Sequence, residues 1–201
     1  MNTNEFFFVE DRAEKVDAQS YRSLLGSLLY ITTTKPDIMH AVGLISRFMQ
    51  SPSKIHFGVA KRIFRYVCGT RNYAIWYTSS NDFGLVGYID SVWAGSFDDR
   101  KSTSGYIFTL GLGAVLWCSK TQPTISLSST EAEYIAAATT TCEAIWLKNV
   151  LINLKQEPKY ATTIYCDNLS TITIVKNPVF HNRTKHIDIK YYYTRDYVAK
   201  G

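Results

Sequence analysis

Long apolar runs are missing from this 201-residue chain. No stretch approaches the roughly 18 to 20 residues of a membrane span. The apolar patch that opens FFFVEDRAEKVD is too short, and too acidic behind, for a signal peptide. Cysteine is sparse: Cys68, Cys118, Cys142 and Cys166 are widely spaced with no CxxC pair, and the four histidines form no HExxH. Zinc and disulfide frameworks are therefore poorly supported, and the thiols read as reduced core residues. Internal repeats and low-complexity segments are absent too. The expectation is an intracellular globular protein, whose 46% hydrophobic and 19% charged residues suit a real core in one or two domains.

Charge is modest overall, with a formal net of +5, but uneven. KRIFRY and HNRTKHIDIK are locally basic, as in a binder of polyanions, although solvated helix faces share that pattern.

Apolar spacing is helical from Ser20 to about Gln50. It runs first through Tyr21, Leu24, Leu25, Leu28 and Leu29, then, after Pro36, through Ile38, Ala41, Val42, Ile45, Phe48 and Met49. A third helix follows SPS, with Phe57, Ala60, Ile63, Phe64 and Val67 on one face and Lys61, Arg62 and Arg65 largely off it. Near Arg71 the pattern changes. YAIWYTSS, FGLVGYID, SGYIFTLG and AVLWCSK are short, β-branched and aromatic, and separated by turn residues, so they read as consecutive strands of an antiparallel meander. A long helix from Ser128, a strand ATTIYCD, a short helix in NLSTITIV, a loop around Pro178 and a helical stretch from about Thr184 complete the pass. Such an order predicts an α/β (α+β) chain with a mixed sheet covered by helices.

The long helix opens with two glutamates. Ser128 followed by Glu131 is a capping box, so Glu131 has a structural duty. Glu133 is turned about 200° from it and has none. Asp90 ends the strand GLVGYID and Asp167 ends TIYCD. The crevice outside strand ends is where ligands commonly bind, and a crossing helix could bring Glu133 there. Asp188 lies in KHIDIK with basic neighbours. Four converging carboxylates would repel one another unless a hard divalent cation joined them. Ordinary alternatives stay open for each: a solvated glutamate, turn-forming aspartates at strand ends, and a pairing of Asp188 with Lys185 or Lys190.

Taken together, YRSLLGSLLYITTTKPDIMHAVGLISRFM, GYIDSVWAG, DDRKSTSGYIFTLG, WCSKTQPTISLSSTEAEYIAAA and YCDNLSTITIVKNPVFHNRTKHIDIKYYY resemble the C-terminal part of the polyprotein of copia-type long-terminal-repeat retrotransposons, from about Tyr21 to Tyr197. The resemblance implies a helical module over 1–70, similar to the end of a reverse transcriptase (thumb or connection), and a ribonuclease H-like domain over 71–201 on a five-stranded mixed sheet. It places a catalytic and metal-binding D-E-D-D set on Asp90, Glu133, Asp167 and Asp188, holding two Mg2+ ions, with Mn2+ as a substitute. An RNA–DNA hybrid is the implied partner, cleaved in its RNA strand, together with the rest of a reverse transcriptase. Asn168, Lys185 and His186, with Lys61, Arg62 and Arg65, are the implied nucleic-acid contacts. The implied location is cytoplasmic, including virus-like particles, or nuclear. Departures from the family pattern are Val92 and Ser96 where acids are usual, and Tyr192 where a histidine is common; the Tyr-x-Asp-Asp polymerase signature is absent. The departures keep a second expectation in view, a silent remnant that binds nucleic acid or has been reused for protein contacts.

Overall fold

A computed structural model describes residues 7–78, 84–156 and 158–176. Within these residues one compact unit is 7–75 with Ser96–Arg100 and Cys118–Lys120; the other is 76–95, Lys101–Trp117 and 121–176.

The first unit is built on three helices. Asp17 caps α1 (Ala18–Ile31), accepting the Ser20 N–H at 2.7 Å, and the helix buries Tyr21, Leu25 and Leu28. Leu29, expected on that face, is instead 38% exposed. A 3-10 turn at Pro36–Ile38 leads into α2 (Met39–Ser46), which buries Val42 and Ile45. Helix α3 (Lys54–Gly69) starts at Ser53, whose hydroxyl and the His56 ring cap each other's backbone N–H. His56 is fully buried and stacks on Phe48 at 3.9 Å. Its core face differs from the expected one: His56, Val59, Ala60 and Ile63 are buried, Phe57 and Val67 partly, and Phe64 is 37% exposed. Residues 56, 59, 60, 63 and 67 follow the i, i+3, i+4, i+7, i+11 stripe, and position 64 lies at its border.

The second unit is a mixed α/β structure. Strands β1 (Leu85–Val92), β2 (Thr103–Leu110), β3 (Gly113–Thr121) and β4 (Thr163–Tyr165) form a sheet of order β3-β2-β1-β4. β1 and β2 are antiparallel, while β1 and β4 run parallel. Gly111, with φ 62°, opens the two-residue turn between β2 and β3, the backbone a II′ hairpin demands.

Four strands stand among the described residues where five were expected. YAIWYTSS supplies none over 73–78, and its last two residues lie outside the described part. Its aromatic content misled: Tyr73 and Trp76 are 75% and 79% exposed, and Tyr77 reaches β3 through a side chain instead of a backbone ladder. The Tyr77 ring covers Gly113, where a Cβ would collide with it, and its hydroxyl donates to the Ala114 carbonyl at 2.6 Å.

Helix α4 (Ser129–Asn153) lies against β1, β2 and the short α5 (Leu169–Lys176). Residues 131–138 are all buried, an unusual run made possible by four alanines that let the backbone approach its neighbours. The threonines that follow donate to the carbonyls four residues back (Thr139 to Ile135, Thr140 to Ala136, Thr141 to Ala137), which satisfies their hydroxyls inside the helix. Below them Ala144, Leu147 and Leu151 join Leu85, Phe108 and Ile164 in the core. No helix among the described residues is long and apolar enough to cross a membrane.

Candidate metal centre

The parallel pair β1 and β4 sets the position of two acids. Tyr88 and Tyr165 are register partners, and their rings stack at 5.3 Å with 19° between planes. Asp90 lies two residues past Tyr88 on the same exposed face, opposite Gly105 of β2. Asp167 lies two residues past Tyr165, immediately before Asn168. Parallel strands sit about 4.8 Å apart, so both acids occupy neighbouring carboxyl ends of the sheet. Asn168 accepts the Thr171 N–H on Oδ1 at 2.9 Å and so caps α5. The Thr171 hydroxyl in turn donates to the Thr130 carbonyl at 3.2 Å, tying α5 to the start of α4.

The start of α4 supplies the third acid. Ser128 accepts the Glu131 N–H at 3.2 Å, as a capping box requires, but the Glu131 carboxylate accepts the N–H of Leu127 at 2.7 Å, one residue earlier than the expected Ser128. Glu133 points elsewhere. It is 5% exposed, and its Oε1 accepts the Ser91 N–H at 3.0 Å near the end of β1. Its Oε2 is buried without a hydrogen-bond partner. Burial pushes the Glu133 carboxyl above the ordinary glutamate range; the Ser91 bond opposes this, and the charges of Asp167 and Asp90 add to it.

A thiol completes the cluster. Among the described residues, ligand atoms of Glu133, Cys166 and Asp167 all lie within 4.8 Å of one another. Such a group can hold a divalent cation through two carboxylates, with sulfur as a further donor. Asp90 is outside this trio, although its charge reaches both Glu133 and Cys166. Asp188, Lys185 and His186 lie outside the described residues.

Cys166 is the site residue that sequence reasoning passed over, having assigned the thiols to the core. In the fold Cys68 and Cys142 are exposed, Cys118 and Cys166 half-buried, and none of the four is in a disulfide. YCDN carries no signal for it, because Cys166 lies just past the end of β4 and its place beside Asp167 and Glu133 is set by tertiary contact. Ser91 was missed as well, because it contributes a backbone N–H, which side-chain type does not reveal.

Lys61, Arg62 and Arg65 are exposed on α3 in the helical unit. The Lys61 ammonium sits 4.7 Å from the Phe57 ring centre, while Arg62 and Arg65 line an open cavity of about 470 Å³ with Lys54, Phe7 and Ile55.

A buried, partly unsatisfied carboxylate beside an aspartate and a thiol, at the carboxyl ends of parallel strands, defines a candidate cation site on a mixed α/β sheet. The chain belongs to the retrovirus-related Pol polyproteins of copia-type transposons. It is 46% identical over 179 residues to the retrovirus-related Pol polyprotein from transposon TNT 1-94 of Nicotiana tabacum, covering 89% of this chain and 13% of that protein. It is 43% identical over 185 residues to that from transposon RE1 of Arabidopsis thaliana, covering 92% of this chain and 13% of that one. The chain thus spans about an eighth of the length of these relatives. The secreted RxLR effector protein 161 of Plasmopara viticola is 44% identical over 128 residues, which is 63% of this chain and 90% of the effector. No family model matches, and no solved structure matches.

Proposed function

We propose that this chain is the ribonuclease H-type segment of its Pol polyprotein, a metal-dependent hydrolase of the RNA strand in RNA–DNA hybrids. The observation that carries the reading is Glu133: a carboxylate 5% exposed, one oxygen held by Ser91 and the other without a donor, beside Asp167. Burying a charge this way is costly unless a cation answers it. The residues therefore fit a hard divalent ion, with Asp90, Glu133 and Asp167 to hold it and Asp188 as the fourth member implied by the resemblance. Two bound magnesium ions, or manganese, would activate water and neutralise charge on the leaving oxygen of a phosphodiester.

The chain's own groups do the rest. The Ser91 N–H and the α4 cap fix the Glu133 side chain before any ligand arrives, so its alignment costs nothing at the moment of reaction. The Asn168 amide nitrogen, left over from the α5 cap, is a donor for a phosphate or a 2′-hydroxyl. Lys61, Arg62 and Arg65 supply sequence-independent attraction to a nucleic-acid backbone. Purified protein on a labelled RNA–DNA hybrid tests the reading: cleavage with magnesium or manganese and none with chelator supports it, and hybrid neither bound nor cleaved at low salt overturns it. The second reading is a catalytically silent hybrid binder. It is favoured by Val92, 46% exposed at the end of β1 where the family pattern has an acid, and it predicts binding without cleavage.

A further inference from the structure

The hard-ion reading leaves one donor unused. Magnesium demands near-octahedral oxygen ligation and gains nothing from sulfur. Yet Cys166 places its Sγ within 4.8 Å of the Glu133 and Asp167 carboxylates. We propose that Cys166, Glu133 and Asp167 form a site for a borderline or soft divalent cation of the zinc or cadmium type, which takes the place of the hard ion and silences the centre.

Several independent features lead there. The Sγ is free of any disulfide, and it donates to the Asn168 carbonyl at 3.9 Å, a weak bond that a metal easily replaces. The Glu133 Oε2 is buried with no hydrogen-bond partner from the protein, which makes it a candidate ligand oxygen. A tetrahedral zinc ion, with bonds of about 2.3 Å to sulfur and about 2.0–2.2 Å to oxygen, holds its donors roughly 3.5 Å apart. The present separations, all within 4.8 Å, exceed that by at most about 1.3 Å. Thiolate ligation selects the softer metals over magnesium, which fixes the chemical class of the occupant.

The binding step balances without any oxidant. The Cys166 S–H bond breaks heterolytically, its electron pair forms the metal–sulfur bond, and the proton leaves to water. Water fills the fourth position. Glu133 and Asp167 are then drawn to one tetrahedral ion and are no longer available to a hard one. The silencing rests on the proposed function, whereas the soft-ion site itself does not.

Cadmium is the probe, because its bond to a thiolate gives an ultraviolet charge-transfer band. The full chain titrated with cadmium should show a saturable band that Cys142→Ser retains and Cys166→Ser loses, with affinity falling at least tenfold, since even second-shell partners cost about that much. Cadmium should also shield Cys166 of the unaltered protein from alkylation, read by mass spectrometry, which does not depend on a variant folding. An unchanged band in Cys166→Ser, or Cys166 alkylated equally fast with and without cadmium, overturns the proposal. A manganese melt run alongside separates the two readings. A band lost in Cys166→Ser supports the soft-ion site whether or not manganese stabilises the protein, whereas a missing manganese gain counts against the hard-ion reading alone.

Discussion

Replacing Glu133 by Gln should reverse its effect on stability when a divalent ion is added. In the parent protein without metal, a carboxylate with one unpartnered oxygen is held beside Asp167 and feels the charge of Asp90. Gln keeps an oxygen for the Ser91 N–H and puts a neutral amide donor where the orphan oxygen stood, in a cluster whose ligand atoms, the Asp167 carboxylate among them, lie within 4.8 Å of one another. A hydrogen bond to a charged group contributes about 1.5–3 kcal/mol. After the lost side-chain freedom is subtracted, the variant should gain on the order of 1–2 kcal/mol, or about 2–8 °C in melting temperature for a chain of this length. Manganese at ten times its Kd should add about 1.4 kcal/mol to the parent, roughly 3–6 °C, and much less to the variant, which lacks one ligand charge. Thermal melts of both proteins, in chelator and across a manganese titration, provide the assay. The reasoning fails if Glu133→Gln melts below the parent in chelator, or if it keeps the full manganese gain.

The same carboxyl makes a pH prediction. Because its proton is held more tightly in the folded state than at the ordinary value of 4.5, protonation stabilises the fold, and that contribution is lost as pH rises through the folded pKa. The chelator-state advantage of Glu133→Gln should therefore shrink as pH falls toward 4.5, and a constant gap would count against it. Glu131→Gln should cost less than about 1 kcal/mol and spare cleavage, since Gln still accepts the Leu127 N–H; a loss of hybrid cleavage equal to that of Glu133→Gln would show the two glutamates misassigned. Gly87→Ala should destabilise the protein by about 1–3 kcal/mol in denaturant titrations, because its Cβ would meet the buried Phe108 ring at 2.8 Å and Ile164 at 3.3 Å. Changing Lys61, Arg62 and Arg65 together to Gln should weaken hybrid binding and lower its salt slope by roughly one unit per lost phosphate contact; an unaltered slope would leave them a solvated face.

Where periodicity and local chemistry agree, the elements were legible. The α1 stripe and the Ser128 cap of α4 could be read directly, because hydrophobic spacing and capping residues act within a few positions. Phe64 and Leu29 show the limit of that reading: a residue at the border of a helical stripe is buried or exposed by its neighbours in space. YAIWYTSS shows another. Its composition favours a strand, but a strand needs an edge to pair with, and Tyr77 meets β3 through its ring and hydroxyl. In the cation cluster Glu133 stood out, since no capping duty accounted for it, and Asp167 stood out as the end of a strand. The Ser91 N–H and the Cys166 Sγ did not, because their parts depend on contacts far apart in the chain: Ser91 with Glu133 of α4, 42 residues on, and β1 with β4 in parallel, 77 residues on.

Beyond that pairing, hydrogen bonds around the head of α4 hold the acids in place. Four like-charged or polar groups at a sheet end would drift apart if each hung from a loop. Here the restraint is distributed over three hydrogen bonds, one local and two between distant parts of the chain. The Ser128 hydroxyl fixes where α4 begins, the Ser91 N–H holds Glu133, and Thr171 fastens α5, with Asp167 just before it, to the Thr130 carbonyl at the head of α4. Each bond is worth only about 1 kcal/mol. Their value lies in position: all three converge on the first turns of α4. The far end of the helix, where Ala144, Leu147 and Leu151 pack into the core, can anchor the element without sharing in the strain of the charges. Gly87 is the necessary complement, since only a residue without a side chain lets Phe108 and Ile164 close over β1 from both sides and keep β4 in register. A substitution there would reach the cluster through strand spacing, although the residue itself carries no chemistry.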